Sequence, residues 1–321
     1  MPIADRYQAT ALLAACRSYA EIESLPETSF KILSKEAHEK CERKECKFKS
    51  TEKNGSKYKT RHRESCRSVA NCAMVGPDVN CLVNIIRSNQ TPLLRYDKAS
   101  STVIVEPYTR QKYATISHVW SDGYGNRDDA QLPECQVKYI SDLLEARVGG
   151  RTLFWMDTLA NPPHSFKEER RTAVQRIGEV YRYADFTLVL DLALNNITTG
   201  QQYHEIALRI LASGWMRRLW TLQEAYLSRK IIFAFIGKEQ MDLDDLESSY
   251  SNARDLLASN VATPAKAYFY HMMGPERKHR LDSINSTEEP PKKLCDVIAS
   301  VWRSAQWRVS TWESVHIIVQ R

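Results

Sequence analysis

Four apolar runs punctuate the middle of the chain: YATISHV at 113–119, TLFWMDT at 152–158, FTLVLD at 186–191 and KIIFAF at 230–235. Each is short, nearly continuous and rich in β-branched or aromatic residues, as expected of strands buried on both faces. Between them the apolar spacing becomes helical. Ile140, Leu143 and Leu144 mark the first intervening stretch, and Ala173, Val174, Ile177, Val180, Tyr181 and Ala184 the second. Ile206, Ile210 and Leu211, then Leu219, Leu222 and Tyr226, mark the third. Strands alternating with helices predict a parallel sheet covered on both sides. Upstream, 5–22 and 27–46 read as helices and 47–63 as a polar loop. Gly76-Pro77-Asp78 starts a helix running to Arg87, and 101–106 is a short strand. Residues 252–321 mix helical fragments with the turn-rich NSTEEPP at 285–291. The pattern thus divides the chain into a helical N-terminal region with a basic loop (1–104), an α/β core (105–250) and a helical C-terminal extension (251–321).

Composition narrows the class without naming a function. Hydrophobic residues make up 43% and charged residues 26%, ordinary values for a soluble globular protein. No segment approaches the roughly 18 consecutive apolar residues of a membrane-spanning helix, so no membrane association is expected. The first residues, MPIADRYQATALLAAC, suit an amphipathic helix better than a signal peptide. A cytoplasmic protein follows, and its eight cysteines read as free thiols or metal ligands rather than disulfides. The net charge of +6 is concentrated: Lys35 to Arg67 carries 12 Lys/Arg against 6 Asp/Glu, an excess equal to that of the whole chain. No aromatic interleaving or nucleic-acid motif accompanies it. The stretch therefore reads as a solvated, lysine-rich surface, and nucleic acid is not an expected partner.

Candidate chemistry gathers where strands end, because parallel sheets bind ligands outside the carboxyl ends of their strands. The first run discharges into Ser117, His118, Trp120, Ser121, Asp122, Gly123 and Gly125. Two readings compete there. In one, the glycines admit a ligand close to the backbone, Ser117 and Asp122 bind hydroxyls or phosphate, and Trp120 stacks on a flat ring. In the other, Ser121 or Asp122 caps a helix and His118 satisfies a buried carbonyl. Asp157, at the second strand's exit, orients a ligand hydroxyl or caps the next turn. Farther on, Trp220 and Glu224 fall on one side of a helix from Arg217 to Tyr226, opposite Leu219, Leu222 and Tyr226. The competing reading is a capping box formed by Thr221 and Glu224. Cys41, Cys46, His62, Cys66, Cys72 and Cys81 have ligand types suited to zinc, but the tight Cys-x2-Cys knuckle is absent. Free thiols are the preferred reading and no metal site is assigned. The phosphate loop, the Rossmann fingerprint and the His-Glu-x-x-His helix are all missing.

With those residues set out, the chain resembles the fungal heterokaryon-incompatibility (HET) domain. The family shows a Tyr-x-x-Ile/Leu-Ser-x-x-Trp block, here YATISHVW at 113–120. It follows with a strand ending in Trp-Ile/Leu-Asp and a helix with Ile/Val-Tyr-x-x-Ala, here FWMDTL at 154–159 and EVYRYADFTLVLD at 179–191. Its third block, Trp-x-x-Arg-x-Trp-Thr-x-Gln-Glu, stands as WMRRLWTLQE at 215–224. The wording SHVWSDGYGN is similar to that of the basidiomycete branch. The resemblance implies an effector of non-self recognition and programmed cell death. It also implies a core similar to TIR domains, which are flavodoxin-like parallel sheets flanked by helices. Some TIR domains cleave NAD with a glutamate in a Trp-x-x-x-Glu context, so the resemblance implies Glu224 as a catalytic carboxylate. Ser117, His118, Trp120, Asp122, Gly123, Asp157, Arg218 and Trp220 are then the ligand-binding candidates. NAD(P) would be a substrate, with no resident cofactor required. The alternative is a non-enzymatic adaptor signalling through self-association and protein partners. The chain departs from the family twice. Ala160-Asn161-Pro162-Pro163 replaces a cysteine-containing turn, and QWRVSTWESVHIIVQR ends where the family continues into a Ser-rich stretch.

Overall fold

The computed structural model describes residues 60–66, 68–126, 129–201, 206, 209–210 and 213–246. The expected helices at 5–22 and 27–46, and the extension from 252, lie outside the described residues. The chain forms two compact units. One comprises Thr51–Asn195 and Leu227–Gln240; the described part of the other lies within Asn196–Tyr226 and 241–246.

The first unit opens with β1 (Met74–Val75) and α1 (Val79–Arg87). Asp78 caps α1 by accepting a hydrogen bond from the Cys81 amide at 2.7 Å, which satisfies one of the orphan donors of a helix start. Leu82, Val83 and Ile86 form its buried face, as the helical spacing predicts. A hairpin follows, β2 (Pro92–Asp97) and β3 (Thr102–Pro107), paired antiparallel from Pro92–Pro107 to Asp97–Thr102. The expected division at 104/105 falls inside β3. β2 carries no alternation to announce it: four of its first five residues are buried, and it lies between β3 and β6 in the sheet.

The core strands are β4 (Tyr113–His118), β6 (Leu153–Met156), β7 (Phe186–Leu190) and β8 (Ile231–Ala234). Between β4 and β6 lie the short β5 (Leu132–Pro133), paired with β1, and α2 (Glu134–Val148). Between β6 and β7 lie α3 (Asp157–Ala160), α4 (Lys167–Gln175) and α5 (Ile177–Tyr183). The sheet has seven strands in the order β3-β2-β6-β4-β7-β8-β9, with β9 (Gln240–Asp242) at the far edge. β4 runs parallel to β6 and β7, and β7 parallel to β8. Taken in chain order, the four parallel strands are arranged second, first, third, fourth. β2 runs antiparallel to both β6 and β3, so the sheet is mixed where an all-parallel sheet was expected. The physical reason is the four-residue connection from Lys98 to Ser101, which can join antiparallel strands but is far too short for a parallel crossover.

Register places side chains as well as backbones. Thr115 pairs with Trp155 on one side and Thr187 on the other, so the three project to the same face. α5 packs there: the Tyr113 hydroxyl donates to the Val180 carbonyl at 2.7 Å, and Tyr181 meets Trp155 edge-on, ring centroids 5.9 Å apart. Hydroxyls also cross the buried sheet, Thr115 to Thr187 at 2.6 Å and Thr187 to Ser228. No described helix is long and apolar enough to cross a membrane.

In the second unit, α6 (Gly214–Arg217) is capped by Ser213, whose hydroxyl accepts from the Met216 amide at 3.3 Å. Arg218 turns extended, with φ −89° and ψ 140°, and α7 (Leu219–Leu227) begins after it. Trp215 is fully buried.

Candidate functional site

The loop after β4 is built by its own residues. A single 3-10 turn, Trp120–Asp122, ends at Gly123, whose φ of +94° lies in the left-handed region. Glycine reaches that region without a Cβ penalty. A Cβ there would also meet the Arg61 side chain at 2.4 Å, and one on Gly125 would meet the Trp120 ring at 2.6 Å. The space expected to admit a ligand at these glycines is therefore filled from within. The filling segment is held by hydrogen bonds. The Arg61 amide donates to the Gly123 carbonyl at 3.1 Å, the Thr60 hydroxyl to the Gly125 carbonyl at 2.7 Å, and the Gln136 amide to both Arg61 and Gly123 carbonyls.

His118, Trp120 and Asp157 converge. His118 Nε2 lies 2.6 Å from Asp157 Oδ1, and Trp120 Nε1 donates to Asp157 Oδ2 at 2.9 Å. Thr158 closes the group, donating to the Tyr124 carbonyl at 2.8 Å. Burial pushes the Asp157 carboxyl up, but the His118 charge and the hydrogen bonds from His118 and Trp120 outweigh it and hold the group down at about 2. The carboxylate thus stays ionised with each oxygen engaged. Asn161 and Arg170, which sequence reasoning did not single out, border the same place together with Trp120 and Asp157. The Asn161 Oδ1 and His118 Nδ1 atoms are buried and without a hydrogen-bond partner. The hollow itself has no room for a water molecule.

Asp122 belongs to a second group. Its Oδ2 accepts from the Leu192 amide at 2.9 Å, joining the loop after β4 to the loop after β7. Asp191 is buried beside it, accepting from the Ala193 amide at 2.9 Å. Burial, and then the negative charge of Asp191, push the Asp122 carboxyl up to about 7. The signal for Asp191 in the sequence was its place at a strand exit.

Ser117 does not join His118. It is fully buried, and strand alternation sends it to the face that carries Thr115 and is covered by α5. Arg218, Trp220 and Glu224 belong to the second unit, all half-buried, with Trp220 and Glu224 one turn apart on α7. The competing capping-box reading is corrected there. Thr221 lies inside α7 rather than at its cap, and its hydroxyl donates back to the Trp215 and Arg218 carbonyls, the latter at 2.8 Å. Its buried neighbour one turn on is Ala225; Leu222 and Tyr226, expected to be the buried stripe, are half-buried.

A cavity of about 670 Å³ opens elsewhere in the first unit, lined by Arg63, Cys66, Cys72, Glu134, Lys138, Tyr139 and Lys238 among others. None of the residues expected to bind a ligand lines it. Comparison with protein-family models, with curated proteins and with solved structures found no match for the chain.

Proposed function

We propose that the chain is a HET-type effector of non-self recognition and programmed cell death, built on a TIR- or flavodoxin-like core. The observation that carries this reading is the arrangement of the four parallel strands, second-first-third-fourth. That is the order of a flavodoxin-like sheet, and its ligand crevice lies at the switch point beside the first strand. The first strand here is β4, and the loop leaving it carries Trp120 and Asp122. β2 and β3 are an antiparallel addition at one edge.

Within that reading the reaction to test is NAD(P) glycohydrolysis. Water replaces nicotinamide at the ribosyl carbon, giving an ADP-ribosyl product, nicotinamide and a proton. Glu224 supplies the negative charge that stabilises the ribosyl cation as nicotinamide leaves, as carboxylates do in glycoside hydrolysis. Trp220 stacks on the base and Arg218 holds a phosphate. Nicotinamide release by purified full-length protein, measured by chromatography, is expected to fall at least ~100-fold in Glu224→Gln. Equal release by the two proteins would remove Glu224 from the chemistry.

One observation favours a second reading, an adaptor acting by self-association. Asp157 already engages the Trp120 indole and the His118 ring, so both of its oxygens are committed within the protein. On that reading wild-type protein releases no nicotinamide at any concentration, and light scattering shows concentration-dependent assembly.

A further inference from the structure

One side-chain cluster lies outside everything assigned so far. His62, Cys66, Cys72 and Cys135 come from three places: the segment entering the first unit, the turn before β1, and the second residue of α2. Their four ligand atoms all lie within 4.8 Å of one another. His62 Nδ1 stands 3.8 Å from both Cys66 Sγ and Cys135 Sγ. Zinc bonds of about 2.3 Å to sulfur and about 2.0 Å to nitrogen, set at the tetrahedral angle, would put ligand atoms about 3.5–3.8 Å apart. The side chains therefore stand at nearly the spacing a zinc ion imposes.

We propose that His62, Cys66, Cys72 and Cys135 form a structural zinc site of the Cys3His class. Three further observations agree. Backbone amides point at the sulfurs, Arg63 N to Cys135 Sγ at 3.4 Å and Cys135 N to Cys72 Sγ at 3.5 Å, the kind of outer contact that supports metal-bound thiolates. Three thiolates and a neutral imidazole leave a net charge of −1 on the bound ion. The Arg63 guanidinium, stacked 3.3 Å above the Tyr139 ring, and Lys138 supply positive charge beside it. Cys66, Cys72 and Cys135 also line the open cavity, which provides an entry path for the ion.

The site occupies a position that matters to the rest of the unit. His62 adjoins Arg61, whose backbone holds the loop at Gly123, and Cys135 adjoins Gln136, which donates to both carbonyls of that junction. A zinc ion bonded to residues 62 and 135 ties the entering segment to α2 and so braces the loop that carries Trp120. Four protein ligands leave no open position, which marks a structural rather than a catalytic centre.

The test is metal content and coordination in the full-length protein, purified with reductant and without chelator. About one zinc per chain is expected by mass spectrometry. Cys72→Ser/Cys135→Ser should lose it, while Cys41→Ser/Cys46→Ser and Cys81→Ser keep it. Cobalt titrated into the metal-stripped wild type should give the strong visible bands of a tetrahedral site and thiolate charge-transfer bands. His62→Cys should keep the metal and raise the charge-transfer intensity by about one third, reporting a fourth thiolate. The cobalt spectrum is read on unmutated protein, so it stands even if the serine variants fold poorly. The proposal is overturned by folded wild type that takes up neither metal, or by Cys72→Ser/Cys135→Ser retaining zinc.

Discussion

Gly123 shows how one residue sets the shape of the loop after β4. Its φ of +94° and the Arg61 side chain, which would stand 2.4 Å from an added Cβ, both exclude a side chain. Gly123→Ala is expected to lower stability by roughly 1–3 kcal/mol, read by chemical denaturation, through backbone strain and displacement of Arg61. Asp122, one position earlier, makes a pH prediction. Its folded carboxyl titrates at about 7, above the ordinary 3.8, because burial and Asp191 disfavour the anion. The folded state therefore binds the proton more tightly than the unfolded chain. Its contribution is fully present below about pH 4 and is lost as pH rises through 7. Wild type should lose roughly 1–3 kcal/mol between pH 5 and pH 8 from this group. Asp122→Asn keeps an acceptor for the Leu192 amide and should flatten that part of the profile; an unchanged slope would show that Asp122 ionises freely. At this scale the sequence exposed Asp122, Gly123, His118, Trp120 and Asp157 as a group at strand exits. Strand alternation also separates Ser117 from His118. The sequence could not show that Asp157 takes both His118 and Trp120, or that Arg61 fills the glycine turn. Those depend on which residue meets which across gaps of 37 to 62 positions (Trp120 to Asp157, and Arg61 to Gly123).

At the scale of elements, the strands speak most clearly. All four apolar runs became core strands, and the helix announced by Gly76-Pro77-Asp78 runs from Val79 to Arg87. The stretch marked by Ala173 to Ala184 became two helices, α4 and α5, which divide at Arg176. β2 went unseen because Arg95 and Asp97 interrupt its six residues, Pro92–Asp97, which therefore show neither strict alternation nor a long apolar run. Within the core the Thr115–Thr187–Ser228 hydroxyls form a buried polar line from β4 through β7 to the segment that precedes β8. Thr187→Val keeps the shape of the side chain but removes the central partner of that line. It should cost roughly 1–3 kcal/mol, the penalty for buried polar groups that lose a hydrogen bond, measured as a fall in the denaturation midpoint. A neutral effect would mean that the flanking hydroxyls re-pair.

For the whole molecule, local pattern alone determined that the described core is an α/β structure, where its parallel strands lie, and that polar residues cluster at their exits. These follow from side-chain burial along a short stretch of backbone, which composition and spacing record directly. Tertiary structure decided the remainder: the mixed sheet, the order of its strands, the pairing of Asp157 with His118 and Trp120, and the meeting of His62, Cys66 and Cys72 with Cys135. Cys135 stands 63 positions beyond Cys72, so no spacing rule for a metal knuckle could include it. Proximity of that kind is created by the path of the folded chain, through the loop that Arg61 and Gln136 hold. A local reading of the sequence carries the types of such ligands but not the distances between them.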